Sequence, residues 1–304
     1  MRRKEKEKAM FANRKSVWSV FGLLVILLVG LLFVGAVKFD FPMSVVAQDD
    51  GCEDEDEAGD DDEDDEDDED EDDEEDCEDE AGEDDTAEDE AYSPTIDPAD
   101  FVESVDHPYF PLVPGTTFVY EGETEDGVER IEVKVLDETH EVMGITCVIV
   151  QDTVWLDGEM IEDTFDWFAQ DKDGNVWYMG EDTHEYENGV AVNSNGSWEA
   201  GVDGALPGIV MQAEPEVGES YRQEYYVGEA EDMAKIISLT ESVTIAYDTF
   251  EDVLVIKEWN PLEPGKAENK YYAAGVGLIL EEVVEGGEGR IELIEFSTPD
   301  ATAN

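Results

Sequence analysis

A segment of 21 residues without a charged side chain, residues 17–37, most constrains this chain, because few structures can accommodate such a segment. At about 1.5 Å per residue, a helix of this length spans roughly 30 Å, which is the thickness of the hydrocarbon core of a bilayer. A helix that is apolar on every side has no suitable partner elsewhere in the chain. The segment therefore predicts a single membrane-spanning helix or signal helix.

The flanking residues predict the orientation of this segment. Seven Lys and Arg residues lie in the basic N terminus, residues 1–16, and positive charge stays on the cytoplasmic side of a membrane, so the following chain is predicted to face outward. The length of the segment favours a retained anchor, whereas Pro42 and Ala47 before Gln48 are typical of a cleaved signal peptide. The predicted location is the cell membrane with an extracytoplasmic domain, or secreted or periplasmic after cleavage behind Ala47.

A run of carboxylates follows, with 33 Asp and Glu among residues 49–90 and no Lys or Arg. Mutual repulsion and the lack of apolar side chains predict a disordered acidic linker over residues 48–91. The linker is interpreted either as a solvating spacer, including an adaptation to salt, or as a weak binding site for divalent cations that lacks a fixed coordination cage. Cys52 and Cys77 could form a disulfide across the run. A net charge of −67 argues against nucleic acid as a partner.

From residue 92 onward the pattern changes to the period-two alternation of β-strands, in which Ile131, Val133 and Val135 alternate with charged residues. The same pattern continues through Met143, Ile145, Cys147 and Ile149, so one face of the sheet is predicted to be apolar and the other, with the charged residues, to be wet. Turn signals of the Asp-Gly or Asn-Gly type recur at 126–127, 157–158, 173–174, 188–189 and 195–196. Strands are predicted at 117–121, 220–227, 235–239, 243–246, 253–258, 269–273, 277–284 and 290–296, a short helix at 99–105, and an ambiguous segment at 229–237. The prediction for residues 92–304 is an exported all-β domain of about ten to twelve strands, a mainly antiparallel curved sheet or an open β-barrel.

Two motifs resemble the opening and closing signatures of a family of uncharacterised exported bacterial proteins. The motif YFPLVPGTTFVYEGE covers residues 109–123, and KYYAAGVGLILEE covers residues 270–282. Phe118 stands where the family pattern often has Trp. The resemblance covers most of residues 107–297 and implies a β-rich fold similar to the open barrels of lipoprotein carriers, without catalytic residues. We predict that the closing motif serves the fold, with Gly275 and Gly277 at a bend and Leu278 in the core.

One loop partly matches a calcium-binding loop. Asp171, Asp173, Asn175 and Asp182 occupy its positions 1, 3, 5 and 12, but Val176 replaces the glycine of position 6 and position 12 is Asp rather than Glu. A hairpin turn explains the same residues. These four residues are the predicted metal ligands, for weak Ca²⁺ binding, and no other cofactor is predicted.

Other residue types that often carry chemistry lack a supporting pattern. His107, His140 and His184 are far apart in sequence and are predicted to be ordinary surface or turn residues. Cys147 is predicted to be buried, and paired carboxylates of a glycosidase cannot be picked out among so many acids. Five tryptophans, Trp155, Trp167, Trp177, Trp198 and Trp259, are expected either to fill the core or to line a ligand cavity.

These observations predict a non-enzymatic surface or periplasmic protein, which meets the membrane through residues 17–37. Its β domain is predicted to bind a partner or an apolar ligand such as a lipid. The alternative is a cation-binding or structural surface protein that acts through its acidic run. A third, less favoured hypothesis is an extracytoplasmic hydrolase.

Overall fold

Short turns join a succession of β-strands along nearly the whole described chain. The structure, a computed structural model, describes residues 92–299. In chain order the elements are a 3₁₀ helix (Pro98–Asp100) and the strands β1 (Phe101–Val102), β2 (Val105–His107), β3 (Phe110–Leu112), β4 (Thr117–Thr124), β5 (Gly127–Val142), β6 (Ile145–Leu156), β7 (Glu159–Asp171), β8 (Val176–Glu187), β9 (Val190–Asn193), β10 (Trp198–Glu199), β11 (Leu206–Met211), β12 (Ser220–Arg222), β13 (Glu224–Tyr225), β14 (Met233–Thr244), β15 (Thr249–Trp259), β16 (Ala267–Ala273), β17 (Gly277–Glu285) and β18 (Gly289–Ser297). Pairing between these strands is antiparallel, which confirms the predicted all-β, antiparallel class for this part of the chain.

Several predicted features lie outside the described residues. They are the basic N terminus (1–16), the apolar segment (17–37), the acidic linker (48–91), and Cys52 and Cys77 within that linker. Within residues 92–299, no helix combines the length and the apolar character that crossing a membrane requires.

The predicted Asp-Gly and Asn-Gly turns lie at connections between consecutive strands, although Gly127 is already the first residue of β5. At 157–158 and 188–189 both residues have positive φ, between 51° and 83°, as the type I′ turns of two-residue hairpins require. A further turn of this kind separates β5 from β6 at Met143 (φ 51°) and Gly144 (φ 81°), so the predicted continuation of the strand pattern through Met143 is wrong. The turn was missed because a non-glycine residue with positive φ is uncommon, and Gly144 alone is a weak signal.

One short segment joins the two ends of the main sheet. The strand order is β12-β14-β15-β16-β17-β18-β4-β5-β6-β7-β8-β11-β13, and Gln223 alone separates β12 from β13 in the chain. Residues 220–225 thus pair first with β14 at one end and then with β11 at the other, which curls the sheet into a barrel-like ring. The single strand predicted at 220–227 is instead two short strands, since its pairing partner changes at Gln223.

The hairpin of β2 and β3 is a separate two-stranded sheet that packs into the interior of the ring. The ring centroid of Phe110 lies 5.2 Å from that of Phe168 on β7 and 6.4 Å from that of Tyr272 on β16. These two strands are on opposite sides of the ring, so Phe110 occupies the space between them. The side-chain oxygen of Gln170 on β7 accepts the backbone N–H groups of Asp106 and His107, which holds the hairpin in place.

Apolar and acidic side chains share the buried part of the fold. The largest fully buried side chains include Tyr178, Tyr272, Phe168, Ile131 and Leu280. Ten carboxyl side chains within residues 92–299 are also buried, and we call them the buried acids: Glu129, Asp152, Glu162, Asp166, Glu181, Glu224, Asp232, Glu258, Glu263 and Glu281. The predicted assignment of charged residues to the wet face of the sheet is therefore wrong for these positions.

Both segments with helical patterns are mostly extended. The 3₁₀ turn Pro98–Asp100 is capped by Asp97, whose Oδ1 accepts the N–H of Ala99 at 2.9 Å, and β1 replaces the rest of the predicted helix. The ambiguous segment 229–237 enters β14 at Met233, and β14 also merges the strands predicted at 235–239 and 243–246. Pairing of β14 with β12 and β15 decides the conformation, because tertiary context overrides a weak helical propensity.

Candidate functional site

The opening and closing sequence motifs meet around one cavity. The backbone N–H of Gly275 donates to the carbonyl oxygen of Pro108 at 2.7 Å, and the hydroxyl of Tyr120 donates to the carbonyl oxygen of Leu278 at 3.1 Å. The cavity has a volume of about 60 Å³. Its lining consists of Phe110, Pro111, Leu112, Phe118, Tyr120, Val133, Val150, Asp152, Asp166, Phe168, Val276, Gly277 and Leu278. We call it the motif cavity, because most of these residues belong to the two motifs.

The wall of the motif cavity is aromatic and aliphatic. Phe110 and Phe168 meet edge to face, and Phe118 stacks on Tyr120 with the ring planes 13° apart. Gly277 has φ 110°, a conformation that a residue with a Cβ rarely adopts, so glycine is required where β17 begins beside the hairpin. Leu278 is buried as predicted. Since it also lines the cavity, the closing motif contributes both to the core and to this site.

Two aspartates supply the polar part of the motif cavity. Asp152 on β6 lies opposite Val133 on β5 and opposite Thr164 on β7, while Asp166 on β7 lies opposite Val150. Asp166 is two residues beyond Thr164, so the two aspartates are diagonal neighbours on one face of the sheet. Such neighbours are separated by about 7–8 Å or somewhat less between Cβ atoms, which leaves room for a small group between the carboxyls.

Both carboxyl groups are short of hydrogen-bond donors. Oδ1 of Asp166 accepts the hydroxyl of Tyr178 at 3.2 Å, but Oδ2 of Asp166 and Oδ1 of Asp152 have no partner among residues 92–299. Asp152 is 8% exposed and Asp166 is fully buried. Burial raises the pKa of Asp152 to about 7 and raises the pKa of Asp166 well above its ordinary value. Ionisation of either group inside the fold is therefore costly unless a donor or a cation is supplied.

Lys270 is the buried lysine of the described region, and its charge is already paired. Its Nζ lies 2.6 Å from Oε2 of Glu258 and 3.3 Å from Oε1 of Glu268. Burial lowers the pKa of Lys270, but the attraction of Glu258, Glu268 and Glu281 outweighs burial and raises it. A single buried ammonium among ten buried acids leaves an excess of carboxyl groups in this part of the chain.

The predicted calcium ligands are only partly brought together. Oδ1 of Asp171 accepts the N–H groups of Gly174 and Asn175, and its Oδ2 accepts the side-chain N–H groups of Asn175 and Trp177, so the carboxylate stabilises the hairpin turn. Asp173 is exposed in that turn, whereas Asp182 lies six residues into β8, about 20 Å along the strand at ~3.4 Å per residue. Within residues 92–299, no group of three His, Cys, Asp or Glu side chains is arranged to hold a metal ion. Weak Ca²⁺ binding at this turn stays a prediction.

The predicted histidine and cysteine environments are partly right. His107 is buried rather than at the surface, because its hairpin packs into the ring, and its Nδ1 accepts the N–H of Tyr109. His140 stacks on Trp167 at 4.1 Å, and His184 lies 3.7 Å from a carboxylate oxygen of Asp182. Cys147 is fully buried, as predicted, and burial raises the pKa of its thiol to about 12.

None of the tryptophans within residues 92–299 lines the motif cavity. Trp167 and Trp198 are buried, and Trp198 meets Tyr178 edge to face, in line with the predicted core role. Trp259 lines a second cavity of about 360 Å³ together with Lys235, Lys257 and Lys266. Lys257 already pairs with Glu285 at 2.6 Å, and Lys266 pairs with Glu263 at 3.5 Å, so two of these three lysines already have a counter-ion.

Comparisons with known proteins place the chain in no characterised group. No family model matches the sequence, and no curated protein matches it. Among solved structures, the chain is similar to a "putative lipoprotein" from Parabacteroides distasonis ATCC 8503, with 16% sequence identity and a TM-score of 0.31, over 62% of this chain and 98% of the other. A likeness at this level carries no argument about function, so the resemblance to exported bacterial proteins stays a prediction.

Proposed function

We propose that the β domain is a non-enzymatic binding module that holds the apolar part of a small ligand in the motif cavity. The observation that carries this proposal is the meeting of two motifs, at residues 109–123 and 270–282, around one cavity. Sites for small ligands are typically concave and mostly apolar with a few convergent polar groups, and the lining of this cavity has that composition.

The composition of the wall supports an apolar ligand over a sugar. A glycosidase also uses two carboxyl groups, but it needs further polar groups that hydrogen-bond to the sugar hydroxyls. Apart from Asp152 and Asp166, the lining is aromatic or aliphatic, and its one hydroxyl, that of Tyr120, donates to the carbonyl oxygen of Leu278. Binding without turnover is therefore favoured over the hydrolase alternative.

The cellular setting of this function rests on the sequence. The proposal places the β domain outside the cytoplasm, tethered by residues 17–37 or released by cleavage after Ala47, with residues 48–91 as a spacer. The rival function, cation binding by the acidic run, concerns residues outside those described. Deleting residues 49–90 separates the two functions, since ligand binding survives the deletion in the first and cation uptake is lost in the second.

A variant that fills the cavity tests the proposal. Val133 lines the cavity from β5, and Val133→Phe adds the volume of a ring there; Val128, which is exposed on the same strand, provides the matched control Val128→Phe. The full-length chain in lipid nanodiscs is titrated with 1-propanol and with propylammonium, and binding is followed by methyl NMR at Val150, Val276 and Leu278.

Saturable shifts of these methyl groups with at least one probe are expected in the wild type and in Val128→Phe. Val133→Phe is expected to lose them while its spectrum remains that of a folded protein. Absence of saturable shifts with both probes in the wild type, or their persistence in folded Val133→Phe, would contradict the proposed function.

A further inference from the structure

Two carboxyl groups line the motif cavity, and an apolar ligand alone does not account for them. Asp152 lines the cavity and is more than nine-tenths buried, and its Oδ1 has no hydrogen-bond partner among the described residues. Asp166 likewise has one oxygen unpartnered, although its other oxygen accepts from Tyr178. Buried polar atoms are nearly always satisfied in native proteins, so two unsatisfied acceptors beside one cavity indicate that a donor binds there.

The charges around the cavity select the kind of donor. Glu162 and Glu181, two further buried acids, act electrostatically on Asp166, and Asp163 acts on Asp152. The nearest buried cation, Lys270, is committed to Glu258 and Glu268. An anionic group would be repelled by these carboxyls, and a neutral group would leave their excess negative potential unbalanced. A cation satisfies both the unpartnered oxygens and the charge.

The type of cation follows from the geometry. A metal ion is disfavoured, because no group of three suitable ligands is assembled within residues 92–299. Diagonal neighbours on a sheet can instead share one nitrogen that donates N–H bonds of about 2.7–2.9 Å to each carboxylate. The rings of Phe110, Phe118 and Phe168 line the same cavity, and their faces attract ammonium groups.

We propose that the motif cavity binds a primary ammonium compound, with its nitrogen between Asp152 and Asp166 and its short alkyl or aryl body against the aromatic wall. This proposal rests on the proposed function and adds the chemical class of the ligand. The cavity volume of about 60 Å³ sets the size of the buried part. At roughly 10–15 Å³ for each water-sized group, it accommodates about four to six non-hydrogen atoms.

The test compares propylammonium with 1-propanol, which has the same number of non-hydrogen atoms and no charge. The full-length chain in lipid nanodiscs is titrated at about pH 8 and at high ionic strength, since propylammonium would otherwise gather on the acidic surface. Methyl shifts of Val150, Val276 and Leu278 report the cavity. Loss of a charge-assisted hydrogen bond weakens binding by about tenfold or more, so propylammonium is expected to bind about tenfold or more tightly than 1-propanol.

Two variants with a matched control complete the test. Asp152→Asn and Asp166→Asn remove one negative charge each from the cavity, whereas Asp126→Asn removes the same charge from an exposed turn. Both cavity variants are expected to lose the preference for propylammonium over 1-propanol, and Asp126→Asn is expected to keep the wild-type preference. Methyl spectra of the variants confirm that they are folded.

The outcomes distinguish the two proposals. Equal affinities for both probes, or a preference that survives Asp152→Asn and Asp166→Asn, would overturn the ammonium proposal and leave a cavity for neutral apolar ligands. Absence of cavity binding by either probe would overturn the proposed function itself, and the ammonium proposal with it.

Discussion

Replacing Asp152 with Asn tests how the buried carboxyl of the motif cavity affects folding. Burial raises the pKa of this group from 3.8 to about 7, against a smaller lowering effect of Lys270, and Asp163 raises it further. In the unfolded chain the carboxyl titrates near its ordinary value. Asn has nearly the same shape and no charge at any pH, so the comparison isolates the cost of ionising Asp152 inside the fold.

The sign of the effect follows from the raised pKa. The folded state holds the proton more tightly than the unfolded state, so stability is complete below about pH 4 and is lost as the pH rises toward about 7. A difference of about three pKa units, at about 1.36 kcal/mol each, amounts to about 4 kcal/mol. The difference in free energy of unfolding, Asp152→Asn minus wild type, should therefore increase by about 4 kcal/mol when the pH is raised from acidic to alkaline.

Urea denaturation of the full-length chain, at several pH values and one ionic strength, measures this difference from the unfolding transition of the β domain. The overall repulsion of an acidic chain changes with pH in both proteins and cancels when they are compared. Asp126→Asn, in an exposed turn, is expected to follow the wild type across the range. Parallel curves for Asp152→Asn and the wild type would show that the carboxyl titrates normally and would refute the reasoning on the buried carboxyl of Asp152.

Three other predictions concern the core, the buried ion pair and the membrane segment. Leu278→Ala removes a buried side chain and should cost about 2–5 kcal/mol by urea denaturation; an unchanged midpoint would contradict a core role. Lys270→Met leaves Glu258 without its buried partner and should cost about 3–5 kcal/mol, and adding Glu258→Gln should restore part of this; a neutral single variant would contradict the pairing. If residues 17–37 form a retained anchor, the protein should stay with membranes during carbonate extraction, and a mature N terminus at Gln48 would contradict the anchor.

Local signals in the sequence were sufficient for the class of fold and for most turns. The Asp-Gly and Asn-Gly pairs mark hairpins because these residues tolerate positive φ, and the structure has turns at all five. The predicted strands at 269–273, 277–284 and 290–296 correspond to β16, β17 and β18 with small changes at their ends. Both signals are short in range, so neither depends on the rest of the chain.

Closure of the ring could not be predicted, because it depends on pairing between distant segments. Residues 220–227 have the alternation of one ordinary strand, and nothing in them shows that Ser220–Arg222 pairs with β14 while Glu224–Tyr225 pairs with β11. The position of the β2–β3 hairpin could not be predicted for the same reason. Phe110 is buried because two strands on opposite sides of the ring supply Phe168 and Tyr272 as neighbours.

The sequence contains only a weak signal for the aspartates of the motif cavity, because their position at the cavity also depends on pairing between distant segments. Val150, Asp152 and Val154 share one face of β6, so Asp152 interrupts an otherwise apolar stripe, as Lys270 does next to Tyr272 on β16. In a chain with 84 acidic residues such an interruption does not stand out.

What distinguishes these interruptions is the partner that ring closure supplies. Lys270 on β16 lies diagonally across from Glu258 on β15, and the 2.6 Å contact between Nζ and Oε2 gives it a counter-ion within the fold. Asp152 and Asp166 belong to β6 and β7, where the residues directly opposite them on the neighbouring strands are Val133, Val150, Thr164 and Glu181, none of which is a cation. Within residues 92–299, the same sequence pattern thus gives an ion pair on one side of the ring and two carboxyls without an ion-pair partner on the other. The proposed ammonium ligand would bring positive charge to the second side, as Glu258 supplies negative charge to the first.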